Sequence, residues 1–162
     1  MSDGIRNFQM KFANGAFYLK GYINEHADLS KIAGGNSNSI TIDLALVEYI
    51  NSIGVRTWIN MLNRNSQCTV KLRNVSLSFM NAAVMMPTML GGQGLDMVES
   101  FYLPYQCIMC EHNFSHLTTQ AEINVDDDMA FTNLVSCVDC GNPSTSLEEE
   151  TEFLMGFIYD TA

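Results

Sequence analysis

The sequence predicts an α/β protein: a mixed sheet with alternating helices, then a small cysteine-rich segment and a terminal helix. Three observations predict it. From Ile40 to Asn65 the apolar pattern switches from alternation to helical spacing across a turn at Asn51-Ser52. Strand-like and helix-like runs keep alternating around that stretch, which is the mark of a largely parallel or mixed sheet. Two C-x-x-C pairs, Cys107/Cys110 and Cys137/Cys140, then follow with 26 residues between them.

In chain order, Asn14-Gly15 lies between two short apolar runs, KFA and AFYLKGYI, and reads as a hairpin turn. Phe17, Leu19 and Tyr22 are expected on one side, with a strand end or bulge at Gly21. Asn24 to Ile32 reads as a short helix with Ala27, Leu29 and Ile32 inward. Gly34 to Ser39 is a loop. Ile40, Ile42, Leu44 and Leu46 alternate with Thr41, Asp43, Ala45 and Val47, as in a strand with one buried face. Asp43 is expected at a strand edge, toward solvent.

Asn51-Ser52 supplies a helix N-cap, since either side-chain oxygen can accept a first-turn N–H. Val55, Trp58, Ile59 and Leu62 follow at one-face spacing. Asn65-Ser66 ends that helix. Cys68 to Val75 reads as the next strand. Phe79, Ala82, Ala83, Met86 and Leu90 form a second helical pattern that Pro87 must kink or shorten. The methionines around it read as adaptable core filler. Gly91 to Gly94 stops it, and Met97 to Leu103 reads as a final strand closed by Pro104. Glu148 to Tyr159 reads as a terminal helix with an acidic first turn.

Composition bounds the function. The chain has 162 residues, 47% hydrophobic and 16% charged, enough for one core and a small appendage. Eight Lys and Arg against eighteen Asp and Glu give a formal net charge of -10. A nucleic-acid partner would be repelled, and no apolar run reaches the length of a membrane span. MSDGIRNFQMKF has no secretory pattern. Four of the five cysteines stand in C-x-x-C units, which fits a metal in a reducing compartment better than a disulfide framework, so the cytoplasm is expected.

Each C-x-x-C turn aims two sulfurs at one point, and two such turns complete a tetrahedron of the kind Zn²⁺ takes in structural sites. Cys107, Cys110, Cys137 and Cys140 are the expected ligands, with His112 and His116 as spare donors at the surface. The alternative, a redox dithiol, needs one C-x-x-C at a helix start after a strand. The acidic run Asp126–Asp128 lacks the glycine and distant glutamate of a calcium loop and reads as a solvated turn. There is no nucleophile–base pair, no phosphate-binding glycine loop and no catalytic carboxylate pair, so no enzyme is expected.

The order of pieces resembles a STAS domain, the fold of bacterial anti-sigma-factor antagonists. Leu19-Lys20-Gly21-Tyr22-Ile23-Asn24 resembles its early strand. Ile40-Thr41-Ile42-Asp43-Leu44 resembles its central strand, and Val47 to Val55, VEYINSIGV, its Asp-Ser-x-Gly turn and helix start. Val70 to Ser76 resembles the next strand. The likeness covers about residues 8 to 103. It implies a partner-switching module whose turn serine is phosphorylated by an anti-sigma factor that is also a serine kinase. Ser52 falls on that serine, and Asn51 stands where the family has aspartate. Asn51, Ser52, Ile53, Gly54 and Arg56 are then the expected partner contacts, with Ser52 as candidate phosphoacceptor or as a plain helix cap. Ser100 to Tyr105, running into the first cysteine pair, resembles proteins that append a zinc ribbon to a STAS-like domain. The expected division is a STAS-like domain over 1–104, a zinc ribbon over 105–145 and a terminal helix over 146–162. An alternative reading makes the chain a scaffold subunit whose ribbon makes the contact.

Overall fold

Asn14 and Gly15 adopt φ of 50° and 76°, the left-handed pair that a two-residue hairpin turn requires. Strand β1 (Gln9–Ala13) therefore folds back antiparallel onto β2 (Ala16–Ile23). The computed structural model describes residues 7–35, 37–123 and 133–147. The terminal helix expected from Glu148 and the acidic run Asp126–Asp128 lie outside them. The chain divides into two compact units, Met1–Glu99 and Ser100–Ala162, whereas the division expected from the sequence falls after Pro104.

In the first unit, β3 (Ser39–Ile50) pairs parallel with β2, and β4 (Thr69–Arg73) pairs parallel with β3. The sheet is mixed, in the order β1-β2-β3-β4. The helix expected over Asn24 to Ile32 is instead a set of turns. Asn24 Oδ1 accepts the His26 N–H at 3.0 Å and Asp28 Oδ1 accepts the Ser30 N–H at 2.9 Å. These side chains offer the backbone a closer partner than a helical carbonyl. Ala27, Leu29 and Ile32 are buried nonetheless.

Ile40, Ile42 and Leu44 of β3 are buried as their alternation predicts. The pairing with β2 then slips by one residue between Asp43 and Leu46. Asp43 Oδ1 takes the Ala45 N–H at 3.1 Å inside this bulge. A one-residue slip exchanges the faces, so Leu46, expected inside, is 59% exposed while Val47 is buried. A second slip falls at Gly21/Tyr22, where Gly21 has φ 86°; Tyr22 is half-buried and Ile23 takes the inner place.

Helix α1 (Ser52–Arg64) buries Gly54, Val55, Trp58, Met61 and Leu62. Ile59, expected on that face, is only half-buried. Trp58 is fully buried, meets Phe79 edge-on at 4.9 Å and donates Nε1–H to the Met89 carbonyl at 2.8 Å. That satisfies the one polar atom of a large buried ring. Phe79 belongs to α2 (Leu77–Met85), which Ser76 caps by accepting the Phe79 N–H. Pro87 follows and cannot continue the helix. From Pro87 to Met97 the chain runs in 3₁₀ turns broken at Gly91 and Gly94, with φ 55° and 56°. Met80 and Met89 are core residues, whereas Met85 is exposed.

The strand expected over Met97 to Leu103 is divided. Val98 makes a single parallel bridge to Leu72, and the Glu99 N–H donates to the Leu72 carbonyl at 2.7 Å. In the second unit, β5 (Phe101–Cys107) pairs antiparallel with β6 (Asn113–Thr118) and β8 (Pro143–Ser146), and β7 (Val135–Ser136) completes the order β6-β5-β8-β7. Phe101, Leu103, Pro104, Tyr105 and Cys107 are buried on β5. Tyr105 stacks on Phe114 at 6.0 Å, and its burial pushes the hydroxyl pKa up to about 12.

Candidate metal centre

The two C-x-x-C pairs sit in turns of the same design. The first joins β5 to β6 and the second joins β7 to β8. The Cys107 N–H donates to the His112 carbonyl at 2.9 Å, and the Cys137 N–H to the Asn142 carbonyl at 2.8 Å. Four residues past the first cysteine of each pair, Glu111 and Gly141 adopt φ 57° and 72°. That left-handed residue lets each turn curl back beneath its sulfurs. Glycine takes the geometry freely; glutamate takes it at a cost.

The turns also aim N–H groups at sulfur. Met109 and Cys110 each donate to Cys107 Sγ at 3.4 Å, and Asp139 donates to Cys137 Sγ at 3.4 Å. The Asn142 side-chain amide donates to Cys140 Sγ at 3.3 Å. The four sulfurs lie within 4.8 Å of one another. Cys107 Sγ is 3.5 Å from Cys140 Sγ, and Cys110 Sγ is 3.7 Å from Cys137 Sγ. These separations far exceed a disulfide bond of about 2.05 Å. Cys107 and Cys137 are buried, and Cys110 and Cys140 are exposed.

The electrostatics of this set differ from one sulfur to the next. The Cys110 N–H leads the effects that pull the Cys107 thiol down to about 6, against the burial that raises it. The Asn142 amide likewise draws Cys140 down. At Cys110 the His112 N–H favours the thiolate, but the neighbouring Cys107 and Cys140 sulfurs outweigh it and push the thiol up to about 12. Four thiolates this close would repel one another, and a retained proton or a cation among them relieves that. The donors are four soft sulfurs converging on one point, which suits a metal ion such as zinc. The histidines stay outside the set: His112 Nδ1 pairs with Asp139 Oδ2 at 3.0 Å, and His116 lies edge-on to Tyr105.

The expected partner-contact residues gather at the start of α1. Asn51 is the N-cap, and its Oδ1 accepts the Gly54 N–H at 2.8 Å. Ser52, Ile53 and Arg56 are exposed. Gly54, grouped with them in the sequence, is buried: a Cβ there would lie 2.0 Å from the Ile23 carbonyl oxygen. Its place is a close approach of helix and strand, not a surface contact. Asn51 Nδ2 also donates to Glu25 Oε2 at 3.0 Å. A backbone hydrogen bond within Glu25, and then this amide, hold the Glu25 carboxyl below its usual range.

The sequence reading missed one polar cluster. Tyr18, Asp43 and Arg73 are register partners across β2, β3 and β4. Asp43 is buried, contrary to the solvent-facing place expected for it. Its Oδ2 accepts from Arg73 Nε at 3.1 Å and from Asn74 Nδ2 at 2.7 Å. Arg73 also donates to the Tyr18 hydroxyl and lies 5.3 Å from the centre of that ring. The available signal was an acid inside an apolar strand with an Arg-Asn pair ending its neighbour.

A scan against protein-family models, a search of curated proteins and a search of solved structures each return no match. Among the described residues no helix is long and apolar enough to cross a membrane.

Proposed function

We propose that the chain is a non-enzymatic regulatory protein-interaction module of the partner-switching kind, with a structural zinc site in its second unit. The observation that carries the zinc is the sulfur geometry. Four thiolates about 2.3 Å from one Zn²⁺ form a tetrahedron with edges of about 3.8 Å. The sulfur separations of 3.5 Å and 3.7 Å match that edge. Such a site holds no open position for a substrate or water, so its work is structural. The ion joins the β5–β6 and β7–β8 turns in a unit with few buried side chains among its described residues, where metal binding supplies folding free energy.

The contact surface in this reading is the capped corner of α1. Ser52, Ile53 and Arg56 stand exposed there, behind a cap that fixes the turn. The partner is a protein of the anti-sigma-factor or serine-kinase type, as the STAS resemblance implies. Full-length chain carrying Ser52→Asp or Ser52→Trp, tested for binding against such a partner, decides this. The reading predicts that at least one substitution weakens the complex. Unchanged binding by both variants would remove the corner from the function.

A second reading has its own observation. Ile108, Met109 and Val138, which flank the cysteines, are 60%, 69% and 69% exposed. In that reading the chain is a scaffold subunit whose ribbon makes the contact and whose first unit is a platform.

A further inference from the structure

The four cysteines bring together more than sulfur. The residues between each pair are Ile108-Met109 and Val138-Asp139. Because the sulfurs lie within 4.8 Å of one another, these residues stand on two turns that meet at one point. The His112–Asp139 pair ties one turn to the other across it. Three large apolar side chains held in water around one rigid centre form a patch of the kind that marks an interaction site. The rim is acidic, with Glu111 and Asp139 both exposed.

Charge identifies the occupant. All eight Lys and Arg fall within residues 1–99, together with seven of the eighteen Asp and Glu. The other eleven acids lie in residues 100–162, which carry no Lys or Arg. The formal charge is therefore +1 for the first stretch and -11 for the second. A zinc–tetrathiolate centre is itself a net anion.

We infer that this apolar, acid-rimmed knuckle face docks a basic amphipathic segment of a protein partner. Apolar side chains of that segment cover Ile108, Met109 and Val138, and its Lys or Arg meet Glu111 and Asp139. A second copy of the chain would bring the same negative charge to the face. The chain's own continuation opens with EEETE from Glu148 and would do likewise. Nucleic acid is repelled for the same reason. The inference rests on the zinc reading and gives the ribbon-contact reading a partner of stated chemistry.

The test uses zinc-loaded full-length chain and two synthetic peptides, one amphipathic in Leu and Lys, the other with every Lys replaced by Glu. Binding is followed by calorimetry and by amide chemical shifts, with zinc counted on the same sample. The Leu/Lys peptide should bind, the Leu/Glu peptide should not, and the shifts should centre on Ile108, Met109 and Val138. The combined variant Ile108→Ser/Met109→Ser/Val138→Ser should weaken binding about tenfold or more. No binding of the Leu/Lys peptide, or shifts centred elsewhere, would overturn the inference. So would equal binding by the variant, which reports bare charge attraction, or a dimer that the variant dissolves. Absence of zinc would instead overturn the metal reading; one zinc per chain without peptide binding overturns the docking alone.

Discussion

Cys110 Sγ lies 3.7 Å from Cys137 Sγ, although 26 residues separate the two in the chain. A closed turn at each end brings the two sulfurs together, and a proton on Cys110 or a shared cation relieves the repulsion that two thiolates would feel. The contact brings together the turn between β5 and β6 and the turn between β7 and β8.

The proposed zinc site should bind its ion more tightly as pH rises across the neutral range. Below about 12 the Cys110 thiol still holds its proton in the unloaded site, while Cys107 is a thiolate above about 6. Loading must displace the protons that remain, so acid competes with the metal. Competition titrations with a chromophoric chelator between these values should show affinity increasing with pH, with protons released into weakly buffered solution.

Asp43→Ala should lower the stability of the first unit by about 2–3 kcal/mol. A fully buried pair that loses one partner costs about 3–5 kcal/mol, and the partial exposure of Arg73 reduces this. Tyr18→Phe removes only one acceptor of the Arg73 guanidinium and should cost about 1 kcal/mol. Urea unfolding, comparing midpoints at a constant m-value, measures both.

Gly54→Ala should be worse than its size implies. The added methyl meets the backbone oxygen of Ile23 at 2.0 Å, and backbone cannot turn aside as a side chain can. Overpacking of this kind costs about 1–3 kcal/mol or more. Asn51→Ala, by contrast, removes a cap and should cost about 1 kcal/mol. Thermal unfolding should rank Gly54→Ala as the less stable of the two.

Glu25 makes the α1 corner sensitive to acid. Its folded pKa lies below 4.5, so its contribution is complete above 4.5 and is lost as pH falls through the folded value. In Glu25→Gln the stability curve should be flatter in that window. A smaller flattening is expected in Asn51→Ser, which keeps a cap oxygen and loses the amide but leaves the larger backbone effect in place. Chemical denaturation at stepped acidic pH measures this.

What the sequence disclosed followed the strength of each local signal. Asn14-Gly15, the buried alternation through Leu44 and the Trp58 helix face each rest on chemistry contained in a few adjacent residues. The cysteine set was legible because C-x-x-C spacing is itself the turn geometry. The bulge beyond Asp43 was not, because it depends on a side chain capturing the Ala45 N–H and on pairing with β2. The apolar spacing of Ala27, Leu29 and Ile32 suggests a helix, but Asn24 and Asp28 capture nearby backbone N–H groups and hold turns instead. The Tyr18–Asp43–Arg73 row requires strand register, which no single segment carries. The charge asymmetry between residues 1–99 and 100–162 was open to counting, but net charge alone conceals it.

A native mass spectrum of freshly purified chain tests the central claim most directly. The account predicts one zinc ion per chain, with loss of that ion on Cys110→Ser or Cys137→Ser. A metal-free chain, or one whose mass shows the four cysteines joined in two disulfides, would contradict it.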